Sequence, residues 1–251
     1  NYNPDATLFK GAANNIWIDV LFKATPAPGS DSVPTENLRV DLRPDRDMTL
    51  NVEVYNPNGS IPFIVTPGGM GDIEGFGAFA KNLAAASSDL KVIIMDRRNL
   101  GRSEVSFANA EPMAGEEAED LHVLLQRLDI DSAIFYGMSS GSRSNMVLAE
   151  RYPEQVDALI IAPLTGGPIA AQRLSEEYFL SYVRDDSLTS MEAVAQTPLW
   201  KGYMERNSPE LQKIFMEQNI DDFLATMKMT GEFLASFHAK TTLGMTDEQL
   251  M

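Results

Sequence analysis

The sequence predicts an α/β fold: a mostly parallel sheet covered by helices on both faces, followed by a block of helices. Three observations carry this. Four short segments, "IPFIVT" (61–66), "KVIIMD" (91–96), "SAIFYG" (132–137) and "VDALIIAPL" (156–164), are apolar on both faces, as strands buried from both sides must be. Helical patterns near 73–86, 115–128 and 142–152 separate them, the alternation that builds a parallel sheet. After "PLTGGP" the strand signal ends, and residues 169–251 read as amphipathic helices.

The elements follow in chain order. Residues 16–23 alternate roughly as a strand would, before a loop rich in Pro, Gly and Ser, "ATPAPGSDSVPT". "MTLNVEVY" (48–55) alternates more clearly, and "NPNG" turns the chain into the segment at 61. The start therefore reads as an antiparallel meander. In the helix near 115–128, Ala118, Leu121, Leu124, Leu125 and Leu128 mark one buried face, and His122 at its margin reads as structural. Helices near 169–184, 188–196, 208–217 and 219–240 carry many Met and aromatic residues, among them Tyr178, Phe179, Trp200, Phe223 and Met227. Such residues form either a helical core or an apolar slot beneath a lid, and the place of this block after a sheet strand favours the lid. The expected division is a core over 1–167 and a helical lid over 168–251.

At 251 residues the chain can bury one large core, or a core and a smaller domain. Its net charge of −16 is spread along the sequence. Such a surface repels nucleic acid and anionic membranes, so neither is expected as a partner; it says little about a small-molecule substrate, which meets the local field of a pocket. No apolar run reaches the roughly 20 residues of a membrane-spanning helix, and the N-terminus lacks a signal-peptide pattern. The absence of cysteine excludes thiolate nucleophiles, disulfides and cysteine metal sites. With no signal segment, it is consistent with a cytoplasmic location.

The chemistry centres on "FYGMSSGS" (135–142), where a strand passes through Gly137-x-Ser139-x-Gly141 into a helix. A turn this tight leaves no room for side chains at 137 and 141, projects the Ser139 hydroxyl from the sheet, and sets it at a helix N-terminus. "TPGGMGD" (66–72) supplies small residues where backbone approaches a ligand, and "DRRNLGRS" (96–103) ends the next strand with Asp96, Arg98, Gly101 and Ser103. Asp96 and Arg98 read as residues that shape this loop.

Together with "AERYPEQVDALII", these three motifs resemble the α/β-hydrolase family over about 61–165. The resemblance implies Ser139 as nucleophile and an oxyanion hole from the backbone N–H of Ser140 and of Gly69 or Met70. Pro67 stands where the family often has histidine, and Asn99 where it has a glycine; Asn tolerates a left-handed backbone. The family order places the acid and the histidine after Ser139, on strands beyond the lid, and neither strand is visible in the sequence. The apolar strand at 156–164 would leave a long unpaired edge. We therefore expect roughly 60–80 further residues, as a second chain or a missing segment, carrying two strands, the acid and the base.

The rival base is His238 in "GEFLASFHAKT", with Asp185, Asp186, Asp221 or Asp222 as its acid. A serine at the elbow points to acyl chemistry: hydrolysis of a small, largely apolar ester, lactone or carbon–carbon acyl bond, with no metal or organic cofactor. Two alternatives stay open. The motifs are also similar to the proline iminopeptidase group, whose lid carboxylates hold the substrate's amino terminus, and Glu176 and Glu177 are available for that role. The other alternative is a ligand-binding protein on a hydrolase scaffold.

Overall fold

The structure is a computed structural model that describes residues 27–69, 71–106, 113–162 and 172–235. The strand expected at 16–23, together with Met70 and His238, lies outside the described residues.

Six strands form one sheet: β1 (Thr35–Asp41), β2 (Thr49–Tyr55), β3 (Ile61–Thr66), β4 (Leu90–Met95), β5 (Ala133–Met138) and β6 (Val156–Ala162). Their order is β1-β2-β4-β3-β5-β6. The β1–β2 and β2–β4 pairs are antiparallel, and the remaining pairs are parallel. The predicted parallel strands are all present within a residue or two of the expected bounds. Strand β1 was not expected. It is an edge strand with a largely exposed sequence, TENLRVD, so only Leu38 and Val40 pack on the core, and its alternation is faint.

Three helices cover the sheet: α1 (Ile73–Ala86), α2 (Met113–Arg127) and α3 (Ser140–Arg151). On one face, Ile73, Phe76, Ala80 and Ala84 of α1 pack with Phe63, Val65, Val92 and Ile94. On the other, Ala118, Leu121, Leu124 and Leu125 of α2 and Val147 and Leu148 of α3 pack with Ile64, Ile93, Met95 and Phe135. Strand side chains thus alternate between two buried layers, which is why each strand reads as continuously apolar. Among the described residues β6 pairs with β5 alone, and Ile160 and Ile161 are 43% and 38% exposed.

The helical block contains α4 over 172–183, whose middle, Ser175–Leu180, is wound as a π-helix. It continues through α5 (Met191–Ala195), α6 (Pro198–Arg206), α7 (Pro209–Met216) and α8 (Ile220–Ala235). Helix α6 was missed in the sequence because Pro198 reads as a breaker; it occupies the first turn, where a missing N–H costs nothing. The block has its own core: Trp200 stacks on Phe215 at 4.6 Å and meets Phe223 edge-on at 5.5 Å. No described helix is long and apolar enough to cross a membrane.

Candidate active site

Strand β5 delivers the chain to Ser139, whose backbone sits at φ 50°, ψ −111° before α3 begins at Ser140. A left-handed φ at a non-glycine residue is strained, and the surroundings enforce it. The Ser139 N–H donates to the Ala162 carbonyl of β6 at 3.1 Å, and the Ser142 N–H donates to the Ser139 carbonyl at 3.1 Å. Glycine is required beside it: a Cβ on Gly141 would stand 2.3 Å from the Thr66 carbonyl oxygen, and one on Gly137 2.6 Å from Ser142 Cα.

The loop after β3 lies against this turn. Gly69 has φ 57°, and its N–H donates to Ser140 Oγ at 2.7 Å. Gly69, one of the two residues expected to offer the second oxyanion donor, has its N–H engaged by the Ser140 hydroxyl in this arrangement. Arg97 clamps the same loop, donating to the Gly69 carbonyl and, from Nη1, to Ser140 Oγ at 3.2 Å. Its Nη1 also lies 2.7 Å from Glu117 Oε1, and Ser144 donates to the other Glu117 oxygen.

The loop after β4 is shaped as expected. Asp96 accepts from the N–H groups of Ile73 (2.7 Å) and Arg102 (2.8 Å) and from Asn51 Nδ2 (2.9 Å). Burial pushes its carboxyl up, against those hydrogen bonds. Arg98 pairs with Asp120 through Nε at 2.6 Å and Nη2 at 2.8 Å. Asn99 adopts φ 64°, the left-handed geometry anticipated for the family's glycine.

Ser139, Ser140 and Gly69 line one cavity of ≈ 370 Å³. The sheet side contributes Arg98, Asn99, Glu117 and Arg143, and the helical block contributes Tyr178, Phe179, Trp200, Phe223, Met227 and Thr230. Trp200, Phe223 and Met227 belong to the block's core and also line the cavity.

Glu176 and Glu177 do not line it. Glu176 pairs with the exposed Arg184 at 2.5 Å, and Glu177 borders a separate surface groove. His122 is confirmed as structural: its ring stacks on Tyr152 at 3.7 Å, with Nδ1 2.8 Å from Gln155 and Nε2 3.0 Å from Gln126. Sequence reasoning missed Arg97, Glu117 and Arg143. One signal was present: Glu116, Glu117 and Asp120 fall on the inward side of α2, beside Leu121 and Leu124.

The sequence model of the alpha/beta hydrolase fold family matches residues 61–205, more than half of the chain. Among curated proteins, the sn-1-specific diacylglycerol lipase ABHD11 of Mus musculus is 26% identical over 165 residues, covering 64% of this chain and 48% of its own length. The esterase YbfF of Escherichia coli (strain K12) is 29% identical over 123 residues, covering 47% and 46%. The chain thus spans about half the length of these relatives. Among solved structures, wild-type Cfl2 from Burkholderia cenocepacia superposes with a TM-score of 0.56 at 15% identity, covering 84% of this chain and 76% of that one. That likeness is one of fold.

Proposed function

We propose, from the premise that this chain belongs to the alpha/beta hydrolase fold family, that it is a serine-dependent hydrolase of a small, largely apolar ester, lactone or carbon–carbon acyl bond. The observation that carries this reading is Ser139, held in a strained turn at the head of α3 and lining a cavity. The lipase and esterase among its relatives support an ester substrate.

In this mechanism Ser139 Oγ attacks the substrate carbonyl carbon while its proton passes to a base. The Ser140 N–H, first in α3, stabilises the oxyanion, with the N–H of Gly69 or Met70 as second donor; losing such a donor costs about 10²–10³ in rate. Arg97 fixes this loop through the Gly69 carbonyl and the Ser140 hydroxyl. The bond to the leaving alcohol breaks as the alcohol takes up the proton. Water then attacks the acyl–Oγ ester, giving the acid and restoring Ser139. The base is expected on the further strands beyond the lid, with His238, outside the described residues, as the rival candidate. Residues 168–251 act as the lid, and their aromatic wall excludes water from the acyl-enzyme.

Parallel assays with 4-nitrophenyl butyrate and proline 4-nitroanilide test this. We expect ester hydrolysis, reduced by about 10⁴-fold or more in Ser139→Ala. Proline anilide cleavage without ester cleavage would instead favour an aminopeptidase.

A further inference from the structure

The cavity offers hydrogen-bond donors with no acceptor among the described residues. Four of its lining side chains carry a buried polar atom without a partner among the described residues: Asn99 Nδ2, Arg143 Nη1, Trp200 Nε1 and Thr230 Oγ1. The Asn99 amide is oriented by its oxygen, which accepts the Ser106 N–H at 2.7 Å, so the free group is the nitrogen. Three of the four atoms can only donate, and the fourth is a hydroxyl. Buried polar groups are ordinarily paired, and several left open around one cavity point to a ligand.

The charges in and behind the cavity wall give that ligand a sign; Arg98, Glu117 and Arg143 line the cavity itself. Arg46, Arg97 and Arg98 are matched by Glu116, Glu117 and Asp120 in a buried network, with Arg46 Nε to Asp120 Oδ1 at 2.9 Å and Arg98 Nη1 to Glu116 Oε2 at 3.5 Å. Arg143 is the fourth cation, and no described carboxylate remains to pair with it. Glu117, the acid that attracts it, is already engaged by Arg97 and Ser144. Burial pushes the Arg143 guanidinium down from its usual value, with Arg97 adding to the effect and Glu117 opposing it. Arginine nevertheless stays protonated in proteins, so its charge must be answered. In a chain of net charge −16, a cation whose Nη1 has no partner among the described residues lines the same cavity as the nucleophile. It stands in the first turn of α3, four residues after Ser139, and both line the cavity.

We infer that the substrate carries a carboxylate, and that Arg143 is its counter-charge. The substrate class is then the half-ester, or equivalent acyl compound, of a dicarboxylic acid, with the carboxylate about one helical turn from the scissile carbonyl. Asn99, Trp200 and Thr230 donate to the remaining oxygens. Arg143 is a specificity-determining residue, and this assignment rests on the proposed acyl chemistry of Ser139.

Two measurements keep the inference separate from that reading. The first compares kcat/KM for mono-4-nitrophenyl glutarate and 4-nitrophenyl butyrate in the wild type, Arg143→Met and Arg143→Lys. We expect the anionic-to-neutral ratio to fall about 10- to 100-fold in Arg143→Met, chiefly through KM, as a charged hydrogen bond is lost. Arg143→Lys should keep part of it. The second follows melting temperature with 4-phenylbutanoate and with 4-phenylbutanamide. The acid, and not the amide, should stabilise the wild type and not Arg143→Met, and the ligand-free variant should melt no lower than the wild type. An unchanged ratio overturns the inference while leaving the hydrolase reading intact. If neither ester is cleaved, the hydrolase reading fails, and stabilisation by the acid through Arg143 still decides the site. No difference between acid and amide overturns it.

Discussion

Ser139 holds a backbone geometry that an L-residue adopts at a cost of about 1–3 kcal/mol, and the structure keeps it by hydrogen bonds on both sides of the residue. Glycine there would relax the strain, offset in part by the entropy glycine loses on folding. Ser139→Gly should therefore be more stable than Ser139→Ala by about 1 kcal/mol in urea unfolding, with both inactive; equal stabilities would contradict the strained turn. This much was legible in the sequence, because steric exclusion at 137 and 141 acts between near neighbours and leaves a spacing that can be read. Arg143 was not. A charge four residues into a helix looks like a solvated face until the structure shows Phe179, Trp200 and Thr230 closing the cavity over it. The Ser140 hydroxyl was equally hidden, since its partners Gly69 and Arg97 are brought to it from two other strand ends.

Helix α1 carries a pH-dependent cap. Asp72 Oδ1 accepts the Gly75 N–H at 2.9 Å, while Oδ2 is buried without a partner among the described residues. Burial pushes the Asp72 carboxyl up from 3.8 to about 6; the Gly75 N–H and Arg102 oppose this, and Asp96 and Glu74 add to it. The folded state therefore binds a proton that the unfolded state has released between these values. The contribution of Asp72 to stability is greatest below about pH 4 and falls as pH rises through about 6, by about 3 kcal/mol in all. Asp72→Asn keeps a good cap and removes the charge. It should match the wild type near pH 4 and exceed it by about 2–3 kcal/mol at pH 7.5 in urea unfolding. A pH-independent difference would contradict this origin. The existence of α1, α2 and α3 was legible because each has one apolar face. The inward acids of α2 were not weighed, because Glu116, Glu117 and Asp120 look solvated until Arg46, Arg97 and Arg98 arrive from distant loops.

At the scale of the whole molecule, the sheet and the helical block each supply half of the site. Strand β5 and α3 present Ser139, the ends of β3 and β4 bring Gly69 and Arg98, and α4, α6 and α8 close the opposite wall. The parallel strands were readable because each is a local apolar run, and the turn between β5 and α3 because its glycines exclude side chains locally. The closure was not, since it depends on how α6 and α8 pack on one another through Trp200 and Phe223. The central claim is that Ser139 is an activated nucleophile, and covalent labelling tests it most directly. Native protein incubated with a fluorophosphonate probe should take up one equivalent, located by peptide mass spectrometry on Ser139 and absent from Ser139→Ala. A native protein that takes up no probe, or carries it on another serine, would contradict the account.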